Sequence, residues 1–151
     1  MKITQVKVRL FEMPMPRPFH PTWQFLPTTS ARIHVVEVHT DEGIVGIGSG
    51  GVPVRWEVAG LFLAGQDPFD MDRHVAQLRS MAFFVGRPWP VEVALWDVIG
   101  QATGQPVYRL LGGSTTKLKA YASTGELRGL EARVESAQQI GRVSLSKARQ
   151  H

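Results

Sequence analysis

Three segments near the start of the chain alternate apolar with polar side chains, and this pattern constrains the fold more than any other. When apolar side chains recur at every second residue, the pattern predicts strands with one buried face. The segments are residues 3–11, 33–39 and 44–47, and a tight turn at residues 40–43 joins the last two as a hairpin. Because loops rather than helices connect the segments, the sequence predicts an antiparallel meander.

Helical periodicity replaces this alternation after residue 53. The apolar spacing predicts helices over residues 56–63, from Asp67-Pro68 onward, over residues 90–103, and between Pro106 and Gly112. His74 falls outside the apolar stripe of the second helix, so we expect a solvated or capping histidine rather than a metal ligand. Strands followed by helices indicate an α+β domain over residues 1–116, with a three-stranded antiparallel meander and a three- to four-helix bundle.

The pattern of apolar residues changes in the last 35 residues, where short strand-like segments flank a helical one. Residues 118–122 and 143–148 are expected to form strands, and residues 130–140 a helix between them. Such a βα(β) unit joins parallel strands by a crossover and cannot cover both faces of its own strands. We therefore expect residues 117–151 to begin a second, larger domain.

Composition excludes several classes of function. The net charge is +4, but residues 1–116 hold ten basic and ten acidic side chains, and the excess lies in residues 117–151 without interleaved aromatic residues. This argues against nucleic-acid binding. No stretch has the length and apolarity of a membrane span or a secretory signal, and cysteine is absent. We expect a cytoplasmic protein without a membrane partner.

The segment between residues 13 and 30 contains five prolines, which predict a loop. It also carries four large ring-bearing side chains, Phe19, His20, Trp23 and Phe25. Two interpretations remain open: the rings fill the side of the core, or they form a lid over an apolar or aromatic substrate.

Gly46, Gly48 and Gly51 have the spacing of a dinucleotide-binding loop. The preceding strand returns from a hairpin instead of opening a βαβ unit, and Pro53 removes a backbone donor that a pyrophosphate would need. We therefore favour a flexible loop that lets the backbone approach a ligand. The five histidines lack metal-ligand spacing, and the acidic cluster at residues 67–72 suits a helix start better than a metal site.

Several motifs together resemble one family. They are the opening MKIT, the hairpin TDEGIVGIG at residues 40–48, GQDP at residues 65–68, and above all VALWDVIGQATGQPVYRLLGG at residues 93–113. In this combination the chain resembles the mandelate racemase and muconate lactonizing branch of the enolase superfamily, over residues 1 to about 125. The resemblance implies an enolase-like N-terminal capping domain over a modified TIM barrel, with residues 117–151 as the beginning of that barrel.

The resemblance also implies a chemistry. Such enzymes use Mg²⁺ to stabilise an enolate formed when a base removes a proton beside a carboxylate, as acid-sugar dehydratases, racemases or cycloisomerases. Their metal ligands stand on later barrel strands, so we expect none here and no activity of this chain alone. A small carboxylate substrate and a homo-oligomer are expected.

Two capping loops carry substrate specificity in this family. By position they supply Phe19, His20, Trp23, Phe25, Val52 and Arg55 as substrate-binding residues. The family's Lys-x-Lys-type pair on the second barrel strand matches Lys147 as the base and Arg149 as a carboxylate contact, because the Arg guanidinium stays protonated and cannot accept a proton. The alternative is a noncatalytic oligomerisation or ligand-binding module that uses the capping fold.

Overall fold

The computed structural model describes residues 1–50, 55–115, 117–121, 126 and 129–148. The chain divides into two compact units. Unit 1 comprises Met1–Met13 and Arg32–Thr116, and unit 2 comprises Pro14–Ala31 and Lys117–His151.

The predicted meander is confirmed. Strands β1 (Ile3–Phe19), β2 (Thr28–Thr40) and β3 (Val45–Gly50) form one antiparallel sheet in the order β1-β2-β3. In the β2–β3 pairing, Val36 lies opposite Gly48 and Val38 opposite Gly46. Val36 and Val38 are fully buried, so this face of the sheet turns toward the core, as the alternation predicted.

The predicted loop at residues 13–30 is mostly wrong, because β1 continues to Phe19 and β2 begins at Thr28. Pro14, Pro16 and Pro18 lie within β1. Their spacing of two directs all three missing N–H groups to the same side of the strand. Since β1 is an edge strand, that side can be the free edge, where a proline costs no ladder hydrogen bond. The actual loop is residues 20–27.

Unit 1 continues with short and long helices in the predicted order. A 3-10 helix (Trp56–Ala59) leads into α1 (Gly60–Leu63), followed by α2 (Met71–Val85), α3 (Trp89–Thr103) and α4 (Val107–Leu110). Helix α2 starts later than expected, because the Asp67 carboxylate accepts a hydrogen bond from the Phe69 N–H (3.0 Å) in the turn before it. Gly104 ends α3 in the left-handed conformation, as predicted.

Helix α3 packs directly on strand β3 through the two glycines of the Gly-x-Gly pattern. A Cβ atom on Gly46 would overlap the carbonyl of Ala94, and one on Gly48 would overlap the carbonyl of Pro90. The absence of side chains lets the two backbones approach closely. The expected flexible, ligand-facing loop is therefore wrong at Gly46 and Gly48, which serve helix-to-strand packing; Gly51 lies outside the described residues.

Two side chains of α3 also cover the free edge of β3. The Asp97 carboxylate accepts hydrogen bonds from the Ile47 N–H (2.8 Å) and from the Gln101 side-chain amide (2.9 Å). The same Gln101 amide donates to the Val45 carbonyl (2.9 Å). Backbone groups that a neighbouring strand would otherwise have to satisfy are thus paired within the unit. This contact gives the Trp-Asp-x-x-x-Gln part of the 93–113 motif a physical role.

The position of His74 differs from the prediction. Its side chain is fully buried, and Nε2 donates to the Asp67 carbonyl (2.7 Å). The buried face of α2 contains Met71, His74, Leu78 and Met81, whereas the apolar spacing predicts Met71, Val75, Leu78 and Ala82. His74 therefore holds the turn before α2 against the helix from inside the core, and the solvated interpretation is wrong.

Unit 2 contains helix α5 (Leu130–Ala148). The helix predicted over residues 130–140 is confirmed, but the strand predicted over residues 143–148 is wrong, because α5 continues through it. Residues 118–121 are not in a strand either. The expected βα(β) start of a barrel is therefore not seen in the described part of unit 2. Of the helices described, none combines the length and apolarity needed to cross a membrane.

Candidate functional site

The loop between β1 and β2 presents aromatic side chains at the end of a long hairpin in unit 2. Trp23 is 69% exposed and Phe25 is fully exposed, while Phe19 and His20 are half-buried. Phe19 and Trp23 contact each other edge to face, with ring centroids 6.4 Å apart. The exposure of Trp23 and Phe25 excludes the interpretation in which these two rings fill the core.

The base of this loop is held by polar contacts. Arg17 and Glu126 form an ion pair (3.4 Å), and the backbones of Pro21 and Glu126 form an isolated antiparallel bridge. At the far end, the Thr28 hydroxyl donates to the Gln24 side-chain carbonyl (3.0 Å). The structure therefore brings His20, Trp23 and Phe25 together on one anchored loop, next to Phe19 at the end of β1. Sequence reasoning missed Arg17 and Glu126, because 109 positions separate them.

Arg55 lies on the second expected loop, in unit 1. It is exposed and adopts the left-handed conformation (φ 47°) immediately before the 3-10 helix, and its carbonyl accepts from the Val58 N–H (3.0 Å). The next residue, Trp56, is buried and contacts His34 edge to face with centroids 6.2 Å apart. The core thus fixes the backbone that carries the Arg55 side chain. Val52 lies outside the described residues.

A groove in unit 1 was not predicted. Its volume is about 760 Å³, and it lies between α2, α3, α4 and β3. Its apolar lining includes Ile47, Met71, Trp89, Val93, Trp96 and Leu111. The sequence does carry a signal for it, since Trp89, Val93 and Trp96 have helical spacing on a face of α3 other than the core face.

An ionic cluster on the outer face of the sheet carries the clearest electrostatic effect. The His39 Nε2 lies 2.9 Å from a Glu37 carboxylate oxygen, and the Arg9 Nε lies 2.8 Å from the other oxygen. The hydrogen bond from His39 and then the charge of Arg9 lower the pKa of Glu37, against the opposing effect of partial burial. The cluster involves none of the predicted site residues, so we assign it to stability.

The described residues do not fit a magnesium site. Among them, no three His, Asp or Glu side chains converge where they could hold a metal ion. Lys147 was expected at the end of a strand but lies in helix α5. Its side chain, and Arg149 altogether, lie outside what the structure describes, so their catalytic roles stay predictions.

Comparison with known proteins gives the family. Residues 5–112 match the family described as "Mandelate racemase / muconate lactonizing enzyme, N-terminal domain". A D-galactonate dehydratase from Pectobacterium atrosepticum is 33% identical, over 93% of this chain and 36% of that protein. A hydrophobic dipeptide epimerase from Enterococcus faecalis is 31% identical, over 75% of this chain and 35% of that protein.

Solved structures support the same fold. A dipeptide epimerase from Enterococcus faecalis, complexed with Mg and L-Leu-L-Tyr, superposes with a TM-score of 0.65 at 28% identity, covering 75% of this chain and 35% of that one. A dipeptide epimerase from Methylococcus capsulatus gives a TM-score of 0.77 at 23% identity, over 95% and 44% of the two chains, which shows the fold alone. The chain spans about a third of the length of the curated relatives it matches. It belongs to the mandelate racemase / muconate lactonizing enzyme family of the enolase superfamily, and it corresponds to the N-terminal capping domain.

Proposed function

We propose that the chain is the capping, substrate-specificity part of a Mg²⁺-dependent enzyme that removes a proton alpha to a carboxylate. The reaction would be that of an acid-sugar dehydratase, a racemase or epimerase, or a cycloisomerase. The observation that carries the proposal is the exposed aromatic loop at residues 20–27, on a domain whose relatives are dehydratases and epimerases.

The described residues suit substrate recognition rather than bond breaking. The guanidinium of Arg55 is exposed on a fixed backbone and has the planar donors that pair with a carboxylate. The aromatic side chains of Trp23 and Phe25 can exclude water from a bound substrate. Mg²⁺ supplies the positive charge that an enolate requires, and its ligands would have to come from residues other than those described here.

The alternative, a noncatalytic module that uses the capping fold on its own, is less well supported. Such a module should bury its apolar side chains within the chain. Leu118 and Tyr121 are instead 87% and 92% exposed, and Leu130 is also exposed. A surface of this kind favours a partner domain that covers it. Lys147 as the base and Arg149 as a carboxylate contact belong to the same proposal.

An assay panel tests the proposed function. Acid sugars, mandelate-like acids and dipeptides are incubated with Mg²⁺ and either the 151-residue chain or the chain expressed with the following coding sequence, about 200 residues for a barrel. We expect turnover only with the longer protein, since the described part of this chain offers no group of metal ligands. Turnover by the 151-residue chain would contradict the proposal that this chain recognises the substrate but does not catalyse the reaction alone. Inactivity of both proteins would favour the noncatalytic module.

The proposal includes a homo-oligomer in the cytoplasm. Light scattering during size-exclusion chromatography measures the oligomeric state of the longer protein directly. A strictly monomeric species at micromolar concentration would contradict this part of the proposal.

A further inference from the structure

We infer that the loop at residues 20–27 selects carboxylate substrates that carry a flat apolar group and disfavours polyhydroxylated ones. This inference rests on the proposed function and narrows the substrate class for that site. Three properties of the loop support it: the exposure of its apolar side chains, the small number of its polar side chains, and its size.

The apolar side chains of the loop face solvent. Trp23, Phe25 and Leu26 are all largely exposed, and the Phe19 ring supports Trp23 edge to face. Burying such side chains against an apolar group of a ligand removes their surface from water, which is favourable. Pro21 and Pro27 restrict the backbone of the loop, so little conformational entropy is lost when a ligand binds.

The loop carries only three polar side chains, His20, Thr22 and Gln24. The carbonyl of the Gln24 side chain already accepts a hydrogen bond from the Thr28 hydroxyl (3.0 Å). A polyhydroxylated acid needs a hydrogen-bond partner for each hydroxyl that it buries, and an unsatisfied hydroxyl opposes binding. The loop offers few such partners, so it matches an apolar substituent better.

The size of the apolar surface favours a small molecule over a protein partner. Large aromatic side chains bury about 150–250 Å² each, so Trp23, Phe25 and Leu26 together offer on the order of 500 Å². A stable protein interface needs about 800 Å² from each partner. The loop alone is therefore too small for a stable protein interface but large enough for one aromatic or aliphatic substituent.

The test measures ligand binding to the 151-residue chain at Trp23. Two-dimensional NMR of ¹⁵N-labelled protein resolves the indole N–H signals of the four tryptophans, and Trp23→Phe identifies the signal of Trp23. The probes are two carboxylates: N-acetyl-L-phenylalanine, which carries an apolar phenyl group, and D-galactonate, which is polyhydroxylated. We expect the Trp23 signal to shift saturably with the apolar probe, with a Kd at least about 10-fold lower than for galactonate.

A pair of variants separates loop contacts from general effects of removing an aromatic ring. Phe25→Ala should weaken binding of the apolar probe by about 10-fold. Phe83→Ala removes another largely exposed ring (87%) from unit 1 and should leave the Kd unchanged. Equal effects of the two substitutions would overturn the assignment of the contact to the loop.

The possible outcomes distinguish failure of the inferred substrate class from failure of the proposed function. Tighter binding of galactonate at Trp23 would overturn the substrate class and leave the proposed recognition role standing. If neither probe shifts the Trp23 signal, the inference fails; turnover by the longer protein in the panel above would then still support the proposed function, and inactivity there would remove both.

Discussion

Substituting Gly48 by Ala should destabilise unit 1 strongly, because helix α3 rests on strand β3 at this position. The added Cβ atom would overlap the backbone carbonyl of Pro90. A backbone carbonyl cannot rotate away as the end of a side chain can, so α3 has to move off the sheet. That movement also pulls Asp97 away from the Ile47 N–H that it accepts from at 2.8 Å.

The magnitude follows from these two losses. Overpacking in a core costs about 1–3 kcal/mol. Losing a hydrogen bond to a charged acceptor costs about 1.5–3 kcal/mol more. We expect the free energy of unfolding to fall by about 3–5 kcal/mol, out of about 5–15 kcal/mol for a typical domain. With a urea m-value of about 2 kcal/mol/M, the unfolding midpoint should drop by about 2 M.

Urea unfolding followed by tryptophan fluorescence measures this change, since Trp56, Trp89 and Trp96 all lie in unit 1. Gly60→Ala is the matched control. A Cβ atom on Gly60, in helix α1, would meet only Val6 atoms at 3.6 Å or more, which is ordinary contact. Its midpoint should stay level or rise slightly. A Gly48→Ala midpoint within about 0.3 M of the Gly60→Ala midpoint would refute the packing argument.

Two further predictions concern polar contacts of the sheet. Asp97→Ala leaves the Ile47 N–H without its acceptor and should lower the free energy of unfolding by about 1–3 kcal/mol, measured by the same urea assay; no change would mean that water satisfies this edge equally well. Glu37 has a folded-state pKa below its usual 4.5, so its contribution to stability is present above that value and is lost as the pH falls through the lower, folded pKa. Thermal unfolding of Glu37→Gln between pH 6 and pH 3 should therefore depend less on pH than that of the wild type, and parallel curves would contradict the assigned hydrogen bond with His39 and ion pair with Arg9.

Much of unit 1 could be predicted because its signals are local and periodic. The alternation around Val36 and Val38 matches their buried face, and the spacing of the apolar residues in α3 matches its core contacts. The ends of α3, marked by Pro90 and Gly104, were also found, whereas the start of α2 was placed too early. The bounds and the buried face of a single strand or helix can be predicted when the signals lie within its own residues.

Features that depend on distant neighbours could not be predicted. Prolines argue against a strand unless it lies at a sheet edge, and only the strand order shows that β1 does. His74 looked peripheral because its partner, the Asp67 carbonyl, lies in the turn before the helix. In the tail, the alternation at residues 143–148 suggested a strand, while α5 continues through Gly141, a residue that an exposed helix tolerates at a cost of about 1 kcal/mol.

The candidate site also combines features that local sequence predicts with features that depend on distant residues. The aromatic composition of residues 19–25 pointed to the loop, but whether its rings were buried or exposed depended on the fold. The ion pair between Arg17 and Glu126, which anchors the loop, joins segments far apart in sequence. Residue type therefore indicated where the candidate site lies, and the structure was needed to show which of its side chains are exposed.

The most direct test of the proposed proton removal is to measure exchange of the α-proton of a carboxylate with solvent. Proton NMR in D₂O with Mg²⁺ follows the loss of the α-proton signal, which reports the bond-breaking step without requiring the product to be known. We expect exchange by the chain joined to its following coding sequence and none by the 151-residue chain. Exchange by the 151-residue chain alone, or none by either protein with any carboxylate of the panel, would contradict this expectation.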